Sequence, residues 1–520
     1  MPDNNKNDGF DFFGDPAPEN APENAPVNGQ QGGNGNAEAS APAGQGRAQG
    51  GPSAARRPLP KVLICIVALA AAVAIFFCGF FTYKATLPEG VRSLLWFKEQ
   101  IDENYYQDVS DEAFWDAALH GAAGVLDSYS GYYTADEYAV EQDSIRGYFE
   151  GTGLSFFSGT NKIYRVAINS PAFFAKEAVQ GPAVQEGRGA IEAGMYLTGV
   201  GASPDAIADT LYTSVAGGYV AQNAVSSELG KYAAGQTVYL RLSVAAGDDT
   251  AAETTRIVPV ILQSYTATYL LYAYRAPGAA AGKAMAFVGG EGGLVWQDVS
   301  GYVSVDETVP ADTAYVRVVE FAGNAGDGFA TVAAQYKADG AQKLLLDLRN
   351  NGGGELSHLM KIAGYLLRDA QGEAPLLLSA VFKNGTVYKY AAAGNSFGEY
   401  FGDSEVYVAA NGNTASASEA LLGAMISYGT VGYEGVFLTD PDGDGSARTY
   451  GKGIMQQFFE DGSTGDVAKL TSAKLYWPNG TCIHGVGVTT ADGAAATQGA
   501  ASNADYGDAE LSYIFSQTGA

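Results

Sequence analysis

The sequence predicts a mixed α/β protein in which a large folded region follows a polar tail and one apolar span. The 520 residues allow two or three domains, and the 47% hydrophobic content is sufficient for buried cores. The first sixty residues are rich in Asn, Pro, Ala, Gly and Gln and too poor in apolar side chains to fold. The rest of the sequence mixes helical periodicity with short strands and glycine turns.

Residues 1–61 are predicted to be a disordered tail, and residues 62–83 a transmembrane helix. The second segment is an uncharged apolar run of 22 residues, which is long enough to cross a bilayer. Four basic residues lie close before it: Arg47, Arg56, Arg57 and Lys61. By the positive-inside rule, we expect the tail in the cytoplasm and the chain after Lys84 outside. Because both segments are too long for a cleaved signal peptide, the sequence predicts a single-pass protein of the cell membrane, with the lipid bilayer as a partner.

Charge and cysteine content restrict the partners of the extracytoplasmic part. The net charge is −27, and since the first 61 residues hold seven acidic and five basic side chains, almost all of it follows Lys61. Such a surface repels polyanions, so we expect no nucleic-acid partner. Cys65 and Cys78 lie in the apolar span, which leaves only Cys482 outside and excludes an internal disulfide there.

The folded region is predicted to begin with helices and to continue with strands. Residues 85–150 contain apolar side chains at helical intervals, in VRSLLWFKEQI and AFWDAALHGAAGVL. Residues 151–262 show short strands separated by glycine turns, and residues 496–520 are predicted to be a C-terminal tail.

The segment TASASEALLGAM, which begins at Thr414, contains a candidate nucleophile. Ser416 and Glu419 have the S-x-x-E spacing of a capping box before an apolar run, and alone this motif is more typical of a helix cap than of a catalyst. The two interpretations are compatible, because a helix start offers unpaired N–H groups and a positive dipole end that would stabilise an oxyanion.

A serine nucleophile needs a base, and the sequence offers a lysine for that role. The three histidines stand outside any recognisable triad motif: His120, His358 and His484. Lys452 lies between two glycines in YGKGIMQ. Burial there would disfavour its ammonium form and lower its pKa towards working pH, which would allow it to accept the serine proton.

A third segment, QKLLLDLRNNGGGELSHLM from Gln342, predicts a buried strand over residues 344–348, a glycine turn and a helix. This layout is typical of an α/β sheet with its site at the carboxyl end of a strand. Consecutive glycines let the backbone approach a ligand closely and present N–H donors. A phosphate-binding loop is less favoured, because no lysine follows the glycines.

Together LDLRNNGGG, TASASEA and GKGIMQ, in this order, resemble the C-terminal processing peptidases, or tail-specific proteases, a family of Ser/Lys endopeptidases with a PDZ domain. VLDSYSGYYTADEY and GYFEGTGLSF look like the family's N-terminal helical segment leading into its PDZ domain, and LTSAKLYWPNGTCIHGVGV looks like its closing strands. The resemblance covers roughly four hundred residues. It implies a helical segment over 85–150, a PDZ-like domain over 151–262 and an α/β serine protease core over 263–495.

The resemblance also implies residue roles. Ser416 would be the nucleophile, Lys452 the general base and Gln456 the group that orients the lysine. Ser418 is the alternative nucleophile. Three backbone N–H groups would form the oxyanion hole: those of Ala417, Gly353 and Gly354. No cofactor would be required, and the substrates would be unfolded or tail-tagged polypeptides with accessible C-termini, which a PDZ domain binds at a sheet edge.

The sequence departs from the family pattern in several places. Gly352 stands where the family usually has proline, Gly194 is followed by Met195 where aspartate is common, and residues 276–310 match no family element. The connection from Ser416 to Lys452 is about ten residues longer than usual, and longer loops of this kind are often functional.

The added residues fall in 436–449 and contain a candidate metal loop. Three carboxylates and a glycine have the spacing of a calcium loop: Asp440, Asp442, Asp444 and Gly445. Gly451 stands at the twelfth position, where a bidentate Glu belongs. A calcium site is therefore a hypothesis, and the alternative is a solvated turn between two strands.

The sequence thus predicts a membrane-anchored, extracytoplasmic serine endopeptidase that acts through an acyl-enzyme. Two alternatives remain open. One is a catalytically inactive, PDZ-containing peptide-binding scaffold in which the long connection displaces the lysine. The other is an acyl-transfer or hydratase enzyme that uses the glycine turn as its oxyanion hole and needs neither Ser416 nor Lys452.

Overall fold

The computed structural model describes residues 65–75, 86–156, 160–184, 188–207, 222–243, 255–290, 292–303, 305–369, 372–439, 447–496 and 509–518. The chain divides into two compact units, one within residues 18–121 and the other including everything after residue 121. The predicted disordered tail over residues 1–61 lies outside the described residues.

The described residues of the first unit are mainly helical. Residues 65–75 form a helix, followed by α1 (Glu89–Asn104) and the start of α2 (Asp111–Ala123), which confirms the predicted helical periodicity. Lys98 bonds the carboxylates of Asp102 and Asp111 at 2.7 and 2.6 Å and so ties the two helices together.

The predicted transmembrane span is only partly described, since residues 76–83 and 62–64 fall outside the described ranges. Within the described part of the chain, every helix is too short or too polar to traverse a bilayer. Membrane anchoring therefore stays a prediction from the hydropathy of residues 62–83.

The second unit begins with β1 (Gly131–Tyr133) and α3 (Ala135–Ile145) and continues into a region of small sheets. Its elements are β2 (Tyr148–Gly151), β3 (Leu154–Phe156), β4 (Ile163–Val166), β5 (Tyr196–Gly201), α4 (Gln222–Leu229), β6 (Thr237–Ser243), β7 (Thr255–Ile261) and β8 (Gln263–Thr266). Strands β5, β6 and β7 form one sheet, while β2 pairs with β8 and β3 with β4. Short strands with glycine turns are thus confirmed for the described part of residues 151–262, and the PDZ assignment stays a prediction.

The core of the second unit is an eight-stranded sheet with the order β11-β10-β9-β12-β13-β16-β17-β20. Its strands are β9 (Leu270–Tyr274), β10 (Lys283–Gly290), β11 (Gly293–Asp298), β12 (Thr313–Val318), β13 (Lys343–Asp347), β16 (Glu405–Asn411), β17 (Val436–Thr439) and β20 (Ala495–Ala496). Pairing is parallel from β12 to β20 and antiparallel from β12 to β11. The apolar run of β13 is fully buried, as expected for a central parallel strand covered on both faces.

Helices accompany this sheet, and a second sheet completes the unit. The helices are α5 (Val305–Thr308), α6 (Ala325–Asp339), α7 (Leu356–Leu366), α8 (Phe397–Tyr400), α9 (Ala417–Ser427) and α10 (Ala509–Gln517). The second sheet has the order β1-β19-β14-β15, with β18 also paired to β19. Its remaining strands are β14 (Leu376–Phe382), β15 (Val387–Ala391), β18 (Ile454–Glu460) and β19 (Val467–Tyr476).

Two segments differ from the sequence prediction. Residues 276–310, which match no family element, include the hairpin β10–β11 that extends the core sheet beside β9. The predicted tail over residues 496–520 contains α10, and the side chains of Leu511, Ile514 and Phe515 are buried in the core. Both segments therefore contribute to the packing of the second unit.

Candidate active site

Ser416 lies in a strained turn between β16 and α9. Its backbone has φ 54° and ψ −114°, in a region that side chains other than glycine seldom occupy. The surrounding contacts hold this geometry. Thr414 Oγ1 donates to the carbonyl of Leu348 at 2.8 Å, and the N–H of Ala415 donates to the carbonyl of Asn351 at 3.0 Å. The serine turn is thus tied to the turn that follows β13.

Ser418, the alternative nucleophile, has a different environment. It is fully buried, and its Oγ donates to the carbonyl of Asn351 at 3.0 Å. Its hydroxyl therefore anchors the glycine turn, whereas Ser416 lines a small cavity. Of the two serines, Ser416 is therefore the one at the cavity, and its role as nucleophile stays a prediction.

The glycine turn packs directly against Ser416. Gly353 and Gly354 have φ values of 116° and 127°, which only glycine adopts without strain. A Cβ atom on Gly353 would lie 2.8 Å from Cβ of Ser416, and one on Gly354 would lie 2.4 Å from the carbonyl oxygen of Phe321. The turn is therefore built for a close approach that any side chain would prevent.

The three predicted oxyanion-hole donors are not equivalent. The N–H of Gly353 donates to Oδ1 of Asn351 at 2.9 Å, so this predicted donor is already used within the turn. Gly354 and Ala417 line the same small cavity as Ser416. Their N–H groups are the remaining candidates of the predicted three.

Glu419 connects the serine turn to the lysine segment. Its side chain is 1% exposed and accepts four hydrogen bonds. Oε2 accepts from the N–H groups of Ser416 and Lys452 at 3.1 and 2.8 Å, and Oε1 accepts from Thr449 Oγ1 and the N–H of Gly451 at 2.6 and 2.7 Å. Burial raises the pKa of Glu419 to about 7, although these hydrogen bonds oppose the shift. The sequence assigned this residue only a capping role.

Lys452 is brought beside Ser416 despite the long connection between them. Because their backbone nitrogens bond the same carboxylate oxygen, these nitrogens lie no more than about 6 Å apart, the sum of the two bond lengths. The lysine is 1% exposed, and its Nζ lies 4.6 Å from the centre of the Tyr129 ring. The predicted burial of Lys452 is therefore confirmed.

Gln456 also reaches the site. It lies on β18 where a bulge interrupts the pairing with β19, and it is 1% exposed. Its Nε2 donates to Oγ1 of Thr471 at 2.9 Å, which sets the orientation of the amide and leaves Oε1 as its acceptor end. Gln456 lines the same cavity as Ser416 and Gly354.

This cavity is small and mostly apolar. It has a volume of about 30 Å³ and lies beside Ser416. Its aliphatic walls come from α7 and the second sheet: Leu356, Leu359, Leu378, Ile454, Met455 and Leu475. A larger cavity of about 560 Å³ lies in the region of small sheets, between β2, β3, β4 and the end of α4.

A buried charge network supports the strand that leads into the glycine turn. Arg349 donates from Nη2 to Asp347 at 2.8 Å and from Nη1 to Glu510 of α10 at 3.4 Å. Arg317 lies 3.6 Å from the same aspartate. Burial alone would raise the pKa of Asp347, but the two guanidinium groups outweigh it and hold that pKa below its usual value.

The predicted metal loop falls largely outside the described residues. Asp440, Asp442 and Asp444 lie outside the described residues. Among the residues that are described, no group of three acidic, histidine or cysteine side chains is arranged to hold a metal ion. The calcium site stays a hypothesis from the sequence.

The strained serine, the close glycine turn and the buried lysine lie next to one another in the fold, and this part of the chain is similar to known proteases. Residues 312–491 match the model of Peptidase family S41. The chain is 31% identical over 200 residues to a probable CtpA-like serine protease of Staphylococcus saprophyticus, covering 35% of this chain and 37% of that protein. It is also 31% identical over 185 residues to the carboxyl-terminal-processing protease of Synechocystis, covering 35% and 38%.

The matched part is limited: the chain spans less than two fifths of the length of these relatives. Among solved structures, the photosystem II D1 C-terminal processing protease aligns over 76% of this chain and 87% of its own, with 20% identity and a TM-score of 0.42. The similarity is thus to peptidase family S41 over residues 312–491, and to carboxyl-terminal-processing proteases over about a third of the chain.

Proposed function

We propose that the protein is a serine endopeptidase of the C-terminal processing type, with Ser416 as nucleophile and Lys452 as general base. The observation that carries the proposal is the shared oxygen of Glu419, which holds the backbones of these two residues together across the enlarged connection. The relatives are peptidases by name, and the matched domain includes every residue proposed to act.

The geometry suggests the following reaction. Oγ of Ser416 attacks the peptide carbonyl carbon while its proton passes to the neutral amine of Lys452. The negative carbonyl oxygen is stabilised by the N–H groups of Ala417 and Gly354. When the C–N bond breaks, the lysine returns the proton to the leaving amine. Water, deprotonated by the same lysine, then cleaves the ester and restores Ser416.

Gln456 would orient the lysine. Its Nε2 is committed to Thr471, so Oε1 is the end that can accept a hydrogen bond from the Lys452 amine. An oriented amine spends less of its time in rotamers that point away from Ser416, which favours proton transfer.

The cavities indicate the substrate class. The apolar cavity beside Ser416 is lined by leucine, isoleucine and methionine, so we expect a small apolar side chain immediately before the cleaved bond. The larger cavity lies among the strands predicted to be PDZ-like, and there we propose binding of extended polypeptide C-termini. Anchoring to the cell membrane through residues 62–83, with the site outside, remains part of the proposal.

The decisive experiment combines labelling and cleavage. The full chain, purified in detergent, is treated with a fluorophosphonate probe and separately with an unstructured protein. We expect labelling and cleavage by the wild type, and loss of both in Ser416→Ala and Lys452→Ala. If the wild type is neither labelled nor able to cleave the protein but still binds peptides, the protein is the catalytically inactive scaffold. Cleavage that persists in both variants would point to different chemistry at the glycine turn.

A further inference from the structure

A loop at the start of the second unit, residues 127–130, lies against the site. Strand β1 follows the loop directly and pairs antiparallel with β19, with Gly131 opposite Lys469. Strand β19 also pairs with β18, which carries Gln456. The loop is therefore held at the sheet that bears part of the proposed machinery, although more than three hundred residues separate it from Lys452 in sequence.

Tyr129 contacts the lysine segment at two points. The face of its ring lies 4.6 Å from Nζ of Lys452, within the roughly 6 Å range of cation–π contacts. Its hydroxyl donates to the hydroxyl of Tyr450 at 2.8 Å, two residues before the lysine. The ring is thus fixed relative to the amine by a bond to the same short segment.

The rest of the loop is fixed to the residue that orients Gln456. Oδ1 of Asp127 accepts from the N–H of Tyr129 at 2.9 Å, from Ser130 Oγ at 3.1 Å and from Thr471 Oγ1 at 3.1 Å. Oγ1 of Thr471 in turn accepts from Gln456 Nε2. One carboxylate therefore couples the tyrosine to the glutamine side of the site.

We propose that residues 127–130 are part of the active site and that Tyr129 is a positioning residue for Lys452, an inference that rests on the proposed peptidase function. The ring covers one side of the amine and restricts its rotamers. When the lysine accepts the Ser416 proton, the new positive charge faces the π surface of the ring, which attracts cations. Because this attraction arises only after proton transfer has begun, it stabilises the transition state more than the resting enzyme.

Two substitutions distinguish a positioning role of the Tyr129 ring from a purely structural role of this residue. Tyr129→Phe keeps the ring face and removes only the hydroxyl bond to Tyr450. Tyr129→Leu removes the ring. Tyr133→Leu is the matched control, because Tyr133 presents its ring to a different buried lysine, Lys469, at 5.8 Å on the same stretch of chain.

The experiment measures the second-order rate of fluorophosphonate labelling of Ser416 in the full chain, together with kcat and KM on an unstructured protein. We expect Tyr129→Phe and Tyr133→Leu to stay within roughly threefold of the wild type, and Tyr129→Leu to label at least about tenfold more slowly. The cleavage defect of Tyr129→Leu should appear in kcat, with KM changed less than roughly twofold.

The possible results distinguish a failure of this inference from a failure of the proposed function. Labelling of Tyr129→Leu less than about tenfold slower than that of the wild type, or an equal defect in Tyr129→Phe or Tyr133→Leu, overturns the positioning role while the wild type remains active. A wild type that is not labelled above the level of Ser416→Ala overturns the proposed function and this inference with it. If Tyr129→Leu does not fold, Tyr129→Met fills similar space without a ring and is held to the same criterion.

Discussion

Lys452 donates its backbone N–H to Oε2 of Glu419 at 2.8 Å, although 33 residues separate the two in sequence. The same oxygen receives the N–H of Ser416. A carboxylate that accepts from both segments fixes the distance between them, whatever the length of the chain that connects them. The longer connection between Ser416 and Lys452 therefore does not prevent the backbones of the two proposed catalytic residues from meeting.

Glu419→Gln should lower both activity and stability. All four partners of the carboxylate are donors, and an amide nitrogen cannot accept a hydrogen bond, so at least one buried N–H or O–H loses its partner. We expect the free energy of unfolding to fall by about 1–3 kcal/mol, measured by denaturant titration. The labelling rate of Ser416 should fall on the order of a hundredfold, because the serine and lysine segments shift.

The control is Glu460→Gln, which changes an exposed carboxylate at the end of β18. It should leave both quantities within error, since surface substitutions rarely exceed about 0.5 kcal/mol. A wild-type labelling rate in Glu419→Gln would contradict the clamp role of Glu419.

The free energy of unfolding should depend on pH through the protonation of Glu419. Its pKa is about 7 in the folded protein, mainly because of burial, against an ordinary value of 4.5. The folded state therefore holds its proton more tightly than the unfolded state. The contribution of Glu419 to stability is fully present below pH 4.5 and is lost as pH rises from 4.5 to about 7, by up to about 3 kcal/mol.

This effect can be isolated by subtraction. Glutamine does not titrate, so the difference in unfolding free energy between the wild type and Glu419→Gln cancels the other groups. The stability of the wild type relative to the variant should decrease between pH 4.5 and pH 7 and then level off. A constant difference across this window would show that burial does not govern this carboxyl group.

Much of the candidate site could be predicted from the sequence, because its main residues stand in short motifs whose local structure is set by neighbouring residues. TASASEA begins a helix at Ser416, and the glycine turn follows a buried strand, as local patterns require. Tyr129 could not be assigned in this way. Its contact with Lys452 depends on the pairing of β1 with β19, and no local pattern encodes that long-range register.

Dependence on long-range contacts also explains why three other features could not be predicted from the sequence. The β10–β11 hairpin reads locally as a Gly/Ala-rich insertion, and only its pairing with β9 makes it part of the core sheet. Helix α10 follows a polar stretch, and it packs through distant contacts, among them the buried contact of Glu510 with Arg349. The use of the Gly353 N–H by Asn351 likewise depends on the folded turn.

Gly353→Ala should strongly reduce peptidase activity. The new Cβ would lie 2.8 Å from Cβ of Ser416, and φ at this position is 116°. The turn or the serine must move, so we expect peptidase activity to fall on the order of a hundredfold or more, as when an oxyanion donor is lost. Gly398→Ala is the control, because a Cβ there meets open space. Equal activity in the two variants would show that the turn does not need its close approach.

Arg349→Met should strongly destabilise the second unit. It leaves Asp347 buried beside the more distant Arg317, and it removes a buried ionic partner of Glu510 on α10. Breaking a buried ion pair from one side typically costs about 3–5 kcal/mol, which thermal and chemical unfolding would detect. Arg146→Met removes a surface pair with Asp143, in which both side chains are more than 60% exposed. A similar loss in both variants would refute a special role for the buried network.

Met455→Ala should widen the preference for the side chain before the cleaved bond. Met455 lines the 30 Å³ cavity beside Ser416, and shortening it enlarges the space available to substrate. One methylene in an apolar pocket changes specificity by roughly 10- to 200-fold. We therefore expect kcat/KM for a peptide with phenylalanine at this position to rise at least about tenfold relative to its alanine counterpart. Met360→Ala is the control, because Met360 lies on α7 outside the cavity lining and its shortening does not enlarge the cavity. If the ratio moves equally in both variants, the substrate side chain binds elsewhere.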